Sequence, residues 1–230
     1  MKTLVILTGA GMSADSGLST FRDSGGLWEG FDIDEVATVH GWNKDPETVL
    51  DFYNKRREQA AKAEPNPGHI ALAELESHFD IYIITQNVDD LHERAGSDKV
   101  LHLHGMLREA RSSEDPESII DIGAKSIKHG DTAEDGSQLR PNVVWFGEAV
   151  TNIEPASVLV SKADILLVIG TSLVVYPAAG LIDFAPAGIP RFIIDPYVPE
   201  LVQTSGWDHI SESAKTGVPK LKKYLIKHYT

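Results

Sequence analysis

Short continuous apolar runs set the frame for this chain. Residues 4–7, 81–85, 165–169 and 192–194 are dominated by Leu, Val and Ile with no polar–apolar alternation. A strand with one wet face alternates; a continuous run belongs to a strand covered on both faces, as in a parallel sheet flanked by helices. Helical patterns lie between the runs. Residues 46–63 start with a proline and carry Val49, Phe52, Tyr53 and Arg56 on one side. Residues 68–79 place Leu72, Leu75 and Phe79 at helical spacing, and a further helix can begin within 177–184. Residues 220–227 form a basic amphipathic helix docked by Leu221, Tyr224 and Leu225. Strand and helix in alternation predict an α/β fold, a doubly wound parallel sheet.

One stretch departs from the alternation. Residues 109–140 hold no aromatic, and their only large aliphatics are Ile119, Ile120, Ile122, Ile127 and Leu139. Rich in Asp, Glu, Ser, Gly and Lys, the stretch reads as an insertion or small lobe with a weak core. At 230 residues the chain is long enough for one good-sized domain without staples. No apolar run approaches the roughly 20 residues of a membrane span, and the first is far shorter than a signal-peptide core. A cytoplasmic protein with no membrane partner is expected. The net charge of −13 argues against binding a nucleic-acid backbone. It leaves room for a nucleotide, whose phosphates backbone amides can hold. The absence of cysteine removes disulfides, thiolate nucleophiles and cysteine-ligated metals.

In open α/β sheets ligands bind beyond the carboxyl ends of the strands. The residues there are small and polar: Thr8-Gly9-Ala10-Gly11-Met12-Ser13, then Thr85-Gln86-Asn87-Val88-Asp89-Asp90, then Gly170-Thr171-Ser172, then Asp195-Pro196. Glycines let the backbone approach a pyrophosphate, and a following helix start favours its charge. Gly9 and Gly11 alone fit a structural turn equally well, and the third position of the usual dinucleotide fingerprint is Ala14. The exits taken together point to a nucleotide. Asp195 could accept from ribose hydroxyls. In Leu101-His102-Leu103-His104-Gly105, His104 is the best general-base candidate, since imidazole titrates near working pH. The two histidines are a poor metal pair, and no nucleophilic triad is visible.

These residues add up to a known pattern. Gly9-Ala10-Gly11-Met12-Ser13-Ala14-Asp15-Ser16-Gly17-Leu18, with Thr20-Phe21-Arg22, resembles the signature of sirtuins, the NAD-dependent protein lysine deacylases. So do Gly26-Leu27-Trp28, Thr85-Gln86-Asn87-Val88-Asp89-Asp90-Leu91-His92 and His104-Gly105. Arg140-Pro141-Asn142-Val143-Val144-Trp145-Phe146-Gly147-Glu148 and Gly170-Thr171-Ser172-Leu173-Val174-Val175-Tyr176-Pro177 follow in the family's order and spacing. The resemblance runs from Lys2 to about Leu221. It implies a single catalytic domain over residues 1–230. A large Rossmann-like lobe would take about 1–31, 64–108 and 141–230, and a small lobe about 32–63 and 109–140, with the site between them.

The resemblance also implies roles. NAD would lie along the strand exits, with Gly9, Ala10 and Gly11 on the pyrophosphate and Ser13, Phe21 and Trp28 among its further contacts. Arg22, Gln86, Asn87, Val88 and Asp89 would surround the nicotinamide and its ribose. Gly170, Thr171 and Ser172 would take the phosphate and adenosine side. Asp195 stands where the family usually has Asn, and Ala214 fits the adenine contact. His104 would be the base that deprotonates the ribose hydroxyl, and Asn87 a second catalytic residue. The products would be deacylated lysine, nicotinamide and O-acyl-ADP-ribose, with free nicotinamide inhibiting. Acyl-lysine proteins or peptides would add as a strand between Val144, Phe146, Gly147 and Glu148 on one side and Val174 and Val175 on the other.

Two features refine the expectation. Tyr53 and Arg56 lie three apart on one helix face, and the resemblance is to the branch whose Tyr-x-x-Arg pair receives acidic acyl groups. Thr20, where many deacetylases carry Asp, resembles the same branch. A desuccinylase and demalonylase with weaker deacetylase activity is expected. Most sirtuins also hold a four-cysteine zinc site; here Ser112 stands at the first cysteine position and Asp115 near its partner, so no zinc is expected. His129, Asp131 and Asp135 read as a solvated acidic loop. An NAD-dependent ADP-ribosyltransferase is the rival reading, and a non-enzymatic NAD sensor the third. A monomer is expected.

Overall fold

The computed structural model describes residues 1–19, 31–197 and 206–230, together with the backbone of 27–28. In chain order the strands are β1 (Thr3–Thr8), β2 (Leu27–Trp28), β3 (Phe31–Asp32), β4 (Asp80–Thr85), β5 (Val100–His102) and β6 (Gly105–Ser112). They continue with β7 (Ile119–Asp121), β8 (Leu139–Val143), β9 (Ile165–Ile169), β10 (Arg191–Ile194) and β11 (Asp208–Ile210). The helices are α1 (Ile33–Val36), α2 (Val39–Lys44), α3 (Pro46–Lys62), α4 (Pro67–Leu75), α5 (Leu91–Arg94), α6 (Ile153–Ser161) and α7 (Ala214–Tyr229).

Six strands form one sheet in the order β5-β4-β1-β9-β10-β11, and every pairing in it is parallel. Counting along the chain, that is the doubly wound order in which the sheet reverses direction beside its first strand. The reversal lies between β1 and β9, where Leu4 pairs with Ile165 and Thr8 with Ile169. The apolar runs behave as their patterning demands: Leu4, Val5, Ile6 and the whole of β9 are fully buried. One face packs under Leu72, Leu75, Val218 and Leu221 of α4 and α7; the other packs under Ala156, Val160, Leu181 and Ile182.

Two elements differ from the sequence reading. The segment after Pro177 is a 3-10 helix over Ala178–Phe184. The last helix begins at Ala214 and carries Pro219 inside it. Pro219 removes the N–H that would bond one turn back and its ring crowds the Lys215 carbonyl, but Val218 and Leu221 on either side are buried against the sheet and their packing outweighs both costs.

A second, antiparallel sheet of order β7-β6-β8 carries the stretch of weak patterning. It has its own core, in which Ala110 and Ile127 pack with Leu50 from α3. Next to it, Val49, Phe52, Tyr53, Leu107, Val143 and Trp145 form a further cluster. Helix α3 starts sharply because Asp45 caps it, accepting the Thr48 N–H at 3.1 Å, with Pro46 in the first turn.

At the tip of this sheet Ser112 is 1% exposed and sits in a knot of oxygens. Its Oγ accepts the backbone N–H groups of Glu114 at 3.0 Å and Asp115 at 2.9 Å, and lies 2.6 Å from both Asp135 Oδ2 and Ser137 Oγ. Ser137 in turn donates to Asp135 Oδ1 at 2.7 Å. These groups satisfy one another and offer no thiolate or imidazole, so they do not fit a zinc ion. Among the described residues no group of three or more His, Asp or Glu is placed to hold a metal.

Candidate active site

The parallel sheet brings every strand exit to one edge. At the reversal point the loop after β1 packs directly on the loop after β9: Gly9 N–H donates to Ile169 O at 3.0 Å and Gly11 N–H to Gly170 O at 2.9 Å. A Cβ on Gly11 would lie 2.7 Å from Gly170 Cα, and Gly170 itself adopts φ +60°. Only glycine fits on both sides, so the two loops pack backbone against backbone, with Gly9 buried and Ala10 and Gly11 half-buried at the crevice. Thr171 closes that side, its Oγ1 accepting from Gln86 Nε2 and from Leu173 N–H, each at 3.2 Å. Ser172 is half-buried beside it.

Helix α4 anchors the glycine loop. Asn66 caps the helix by accepting Gly68 N–H at 2.8 Å, and its Nδ2 donates to Met12 O at 2.9 Å and Ser16 Oγ at 3.1 Å. The third helical residue, His69, completes the cap by accepting Asn66 N–H at Nδ1. That bond fixes the tautomer: the proton is on Nε2, which faces Ser13 Oγ at 3.5 Å. Asn87 Nδ2 donates to the same oxygen at 3.1 Å. The Ser13 hydroxyl nearby lowers the Asp89 pKa. Burial outweighs it and raises that pKa overall; Asp89 Oδ1 also accepts Leu91 N–H at 3.2 Å. Ser13, Asn87 and Asp89 are thus one buried network.

The histidines divide by charge. Burial drives His69 down to about 4 and His92 well below the ordinary imidazole value, so both are neutral. Their rings meet edge to face at 4.9 Å, and His92 Nε2 lies 3.1 Å from Thr8 Oγ1. His102 is the opposite case. Its Nδ1 faces Asn87 O at 3.0 Å and its Nε2 faces Glu93 Oε1 at 2.8 Å. Both partners are acceptors, so a fully bonded ring carries two protons. Burial disfavours that charge, but Glu93 outweighs it and the His102 pKa is raised. His104 Nδ1 faces Gln86 O at 3.1 Å, which puts its proton there and leaves Nε2 as the basic atom. Burial lowers its pKa, so it is neutral at working pH. Its own carbonyl accepts Val144 N–H at 3.0 Å.

Asp195 is buried at the exit of β10, where Oδ1 accepts Tyr197 N–H at 2.9 Å and the carbonyl takes His209 Nε2 at 2.8 Å. Ala214 is buried at the start of α7, against the start of α4. Phe21 and Arg22 lie outside the described residues, as does the side chain of Trp28.

Beside the exits, Val174 is 69% exposed and Phe146 is also exposed. Glu148 has a different environment: its carboxylate bridges Arg140 at 2.7 Å and Arg111 at 3.2 Å and accepts Trp145 N–H at 2.8 Å. Its side chain holds this corner together, while the Phe146 N–H donates to Ala37 O at 2.9 Å and the Glu148 N–H to Trp145 O at 3.0 Å. Arg140 also stacks on the Trp145 ring, 3.3 Å from its centroid. On α3, Tyr53 is 1% exposed and Arg56 lies on the same flank, its guanidinium 5.6 Å from the Phe52 ring.

Sequence reasoning did not find His69, Glu93 or the buried Arg57, and it quoted His92 in a motif without giving it a role. The capping-box spacing from Asn66 to His69 is the one signal that could have shown the first.

Comparison with known proteins agrees with this geometry. The Sir2 family model matches residues 9–177. The chain is 53% identical over 232 residues to an NAD-dependent protein deacylase of Bacteroides thetaiotaomicron, covering 98% of this chain and 99% of that one. It is equally identical to the NAD-dependent protein deacylase of Helicobacter pylori, with 99% of each chain covered. Among solved structures, a Sir2 homologue–NAD complex superposes with a TM-score of 0.89 at 39% identity, covering 100% of this chain and 91% of that one. A Sir2–p53 peptide–NAD+ structure superposes at 0.77 with 29% identity, covering 98% of this chain and 92% of that one. This chain belongs to the Sir2 family, the sirtuins.

Proposed function

We propose that the chain is an NAD-dependent protein lysine deacylase that prefers acidic acyl groups, succinyl and malonyl, to acetyl. The deacylase activity accords with the family and with relatives of that name at 53% identity over nearly the whole chain. NAD held at the glycine cradle would supply an electrophilic ribose carbon with nicotinamide as its leaving group. What the chain itself contributes is placement and one proton transfer. Gly9, Ala10 and Gly11 let the pyrophosphate approach the loop closely, with Thr171 and Ser172 beside them and Asp195 and Ala214 towards the adenosine end. Ser13, Asn87 and Asp89 hold the nicotinamide end through their shared network. In this reading His104 is the general base: neutral, its Nδ1 proton occupied by Gln86 O, it takes a ribose hydroxyl proton at Nε2. The peptide runs between the backbones of 146–148 and 173–175, which demands little of its sequence.

The single observation that carries the acyl preference is the Tyr53–Arg56 pair on α3. A guanidinium beside a protonated phenol suits a carboxylate at the end of the acyl chain. A charge-assisted bond of that kind is worth about 1.5–3 kcal/mol, enough to order succinyl above acetyl. The small lobe, knotted at Ser112, works without metal. The test is mass-spectrometric turnover of matched acetyl- and succinyl-lysine peptides, with and without NAD, beside His104→Ala. NAD-dependent loss of succinyl, faster than loss of acetyl and absent in the variant, is expected. ADP-ribose left on protein without deacylation would assign the chain to the transferases instead.

A further inference from the structure

A separate cavity of about 240 Å³ opens behind the 88–90 loop, walled by α3 and β6. Arg57, Arg94 and Arg108 line it, beside the apolar side chains of Val88, Leu107 and Ala61. Two of the arginines are already paired. Arg108 reaches Asp121 at 2.7 Å and Asp90 at 3.1 Å; Arg94 reaches Glu64 at 3.3 Å and Asp90 at 3.7 Å. Asp89, which also borders the cavity, accepts the Leu91 N–H at 3.2 Å.

Arg57 is different. It is 2% exposed, its Nε donates to Leu107 O and its Nη1 to Asn54 Oδ1 at 2.7 Å, while Nη2 is buried with no partner. Among the described residues no carboxylate pairs with it. Burial alone draws its guanidinium down to about 10, with no neighbouring acid to restore it. A buried cation with two N–H groups unmet is a costly arrangement unless something anionic completes it.

We propose that this cavity binds a small organic carboxylate, its charged end on Arg57 Nη2 and its carbon stem against Val88, Leu107 and Ala61. The unmet N–H groups of Nη2 suit one oxygen of an anion, and the partly apolar wall suits a carbon stem better than a phosphate. The volume falls below the ~300–1,000 Å³ of pockets for drug-sized ligands, so the molecule has only a few carbons. The site lies on α3 beyond the Tyr53–Arg56 pair, and does not depend on the acyl preference.

The test titrates the full chain, without NAD, with sodium acetate and sodium succinate, against sodium phosphate and sodium chloride at matched ionic strength. Thermal midpoint and calorimetric binding are the readouts. Saturable binding of both carboxylates is expected, with a raised midpoint. It should weaken at least about tenfold in Ala61→Glu, where the chain's own carboxylate enters the cavity, and persist in Arg56→Met. Arg57→Gln gives the same loss if it folds. An equal rise with chloride would make any bound anion an adventitious ion only and overturn the site; binding of phosphate alone would overturn the carboxylate. Binding that survives Ala61→Glu but disappears in Arg56→Met would place the carboxylate in the acyl crevice and also overturn the proposal.

Discussion

The indole N–H of Trp145 donates to the Tyr53 hydroxyl at 3.1 Å, deep in the cluster that joins α3 to the end of β8. The bond fills the acceptor side of the phenol and leaves its proton to give away. Burial pushes the Tyr53 pKa up to about 12, so that proton is present at every working pH. Tyr53→Phe therefore has two consequences. It strands a buried N–H, lowering stability by about 1–3 kcal/mol. Under the proposed acyl preference it also removes the donor to the acyl carboxylate, so desuccinylation should fall several-fold more than deacetylation when both are assayed well below the melting temperature. Equal losses would mean Tyr53 serves only the core.

Gly11 tests the cradle. Alanine there would put Cβ 2.7 Å from Gly170 Cα and 2.9 Å from its carbonyl oxygen, and both are backbone atoms that cannot swing away. Gly11→Ala should separate the two loops at the sheet's reversal point and weaken NAD binding by an order of magnitude or more. Calorimetric titration with NAD measures it; unchanged affinity would remove the pyrophosphate from this loop.

Ser112 is the centre of the knot at the tip of the β7-β6-β8 sheet. Ser112→Ala leaves the Glu114 and Asp115 amides and Asp135 without their shared hydroxyl, and should cost about 1–3 kcal/mol. A chelator should leave the thermal midpoint of the wild-type chain unchanged. A chelator-dependent drop would show that a metal supports the lobe.

The buried histidines set the pH range of stability. His69 and His92 have folded values below the unfolded one, so the unfolded chain binds their protons first. Their contribution is complete above the ordinary imidazole value and is lost as pH falls through the folded values, about 4 for His69. His69 alone accounts for a few kcal/mol, at roughly 1.4 kcal/mol per pKa unit. His102 has the opposite sign. Its folded value is raised, so its contribution is complete below the unfolded value and is lost as pH rises through the folded one. Deprotonation releases either Glu93 or the Asn87 carbonyl, with Asp89 and His92 close by. Denaturant midpoints measured across pH should pass through a maximum, and His102→Gln should flatten the alkaline limb.

The legible part of the fold was the part written in continuous apolar runs. β1, β4, β9 and β10 are interior strands with both faces covered, and their residues say so. β5 and β11 escaped because each is a three-residue edge strand, half-buried and carrying His102 or Asp208 and His209. The exits that line the crevice were visible as small residues after each run. What holds them was not: Asn66 and His69 act across long sequence separations, and pattern carries no record of a tautomer or of a carbonyl facing an imidazole. Glu148 shows the same limit. Its motif placed it beside the peptide, whereas its carboxylate is engaged by Arg140 and Arg111.

The most direct test of the account is the ratio of kcat/KM for succinyl- over acetyl-lysine in one peptide sequence, measured for wild type and for Arg56→Met. The account predicts a ratio well above one in wild type that falls by roughly 10- to 100-fold in the variant, the loss of one charge-assisted contact to the acyl carboxylate. A wild-type ratio at or below one, or a ratio that Arg56→Met leaves unchanged, would contradict it.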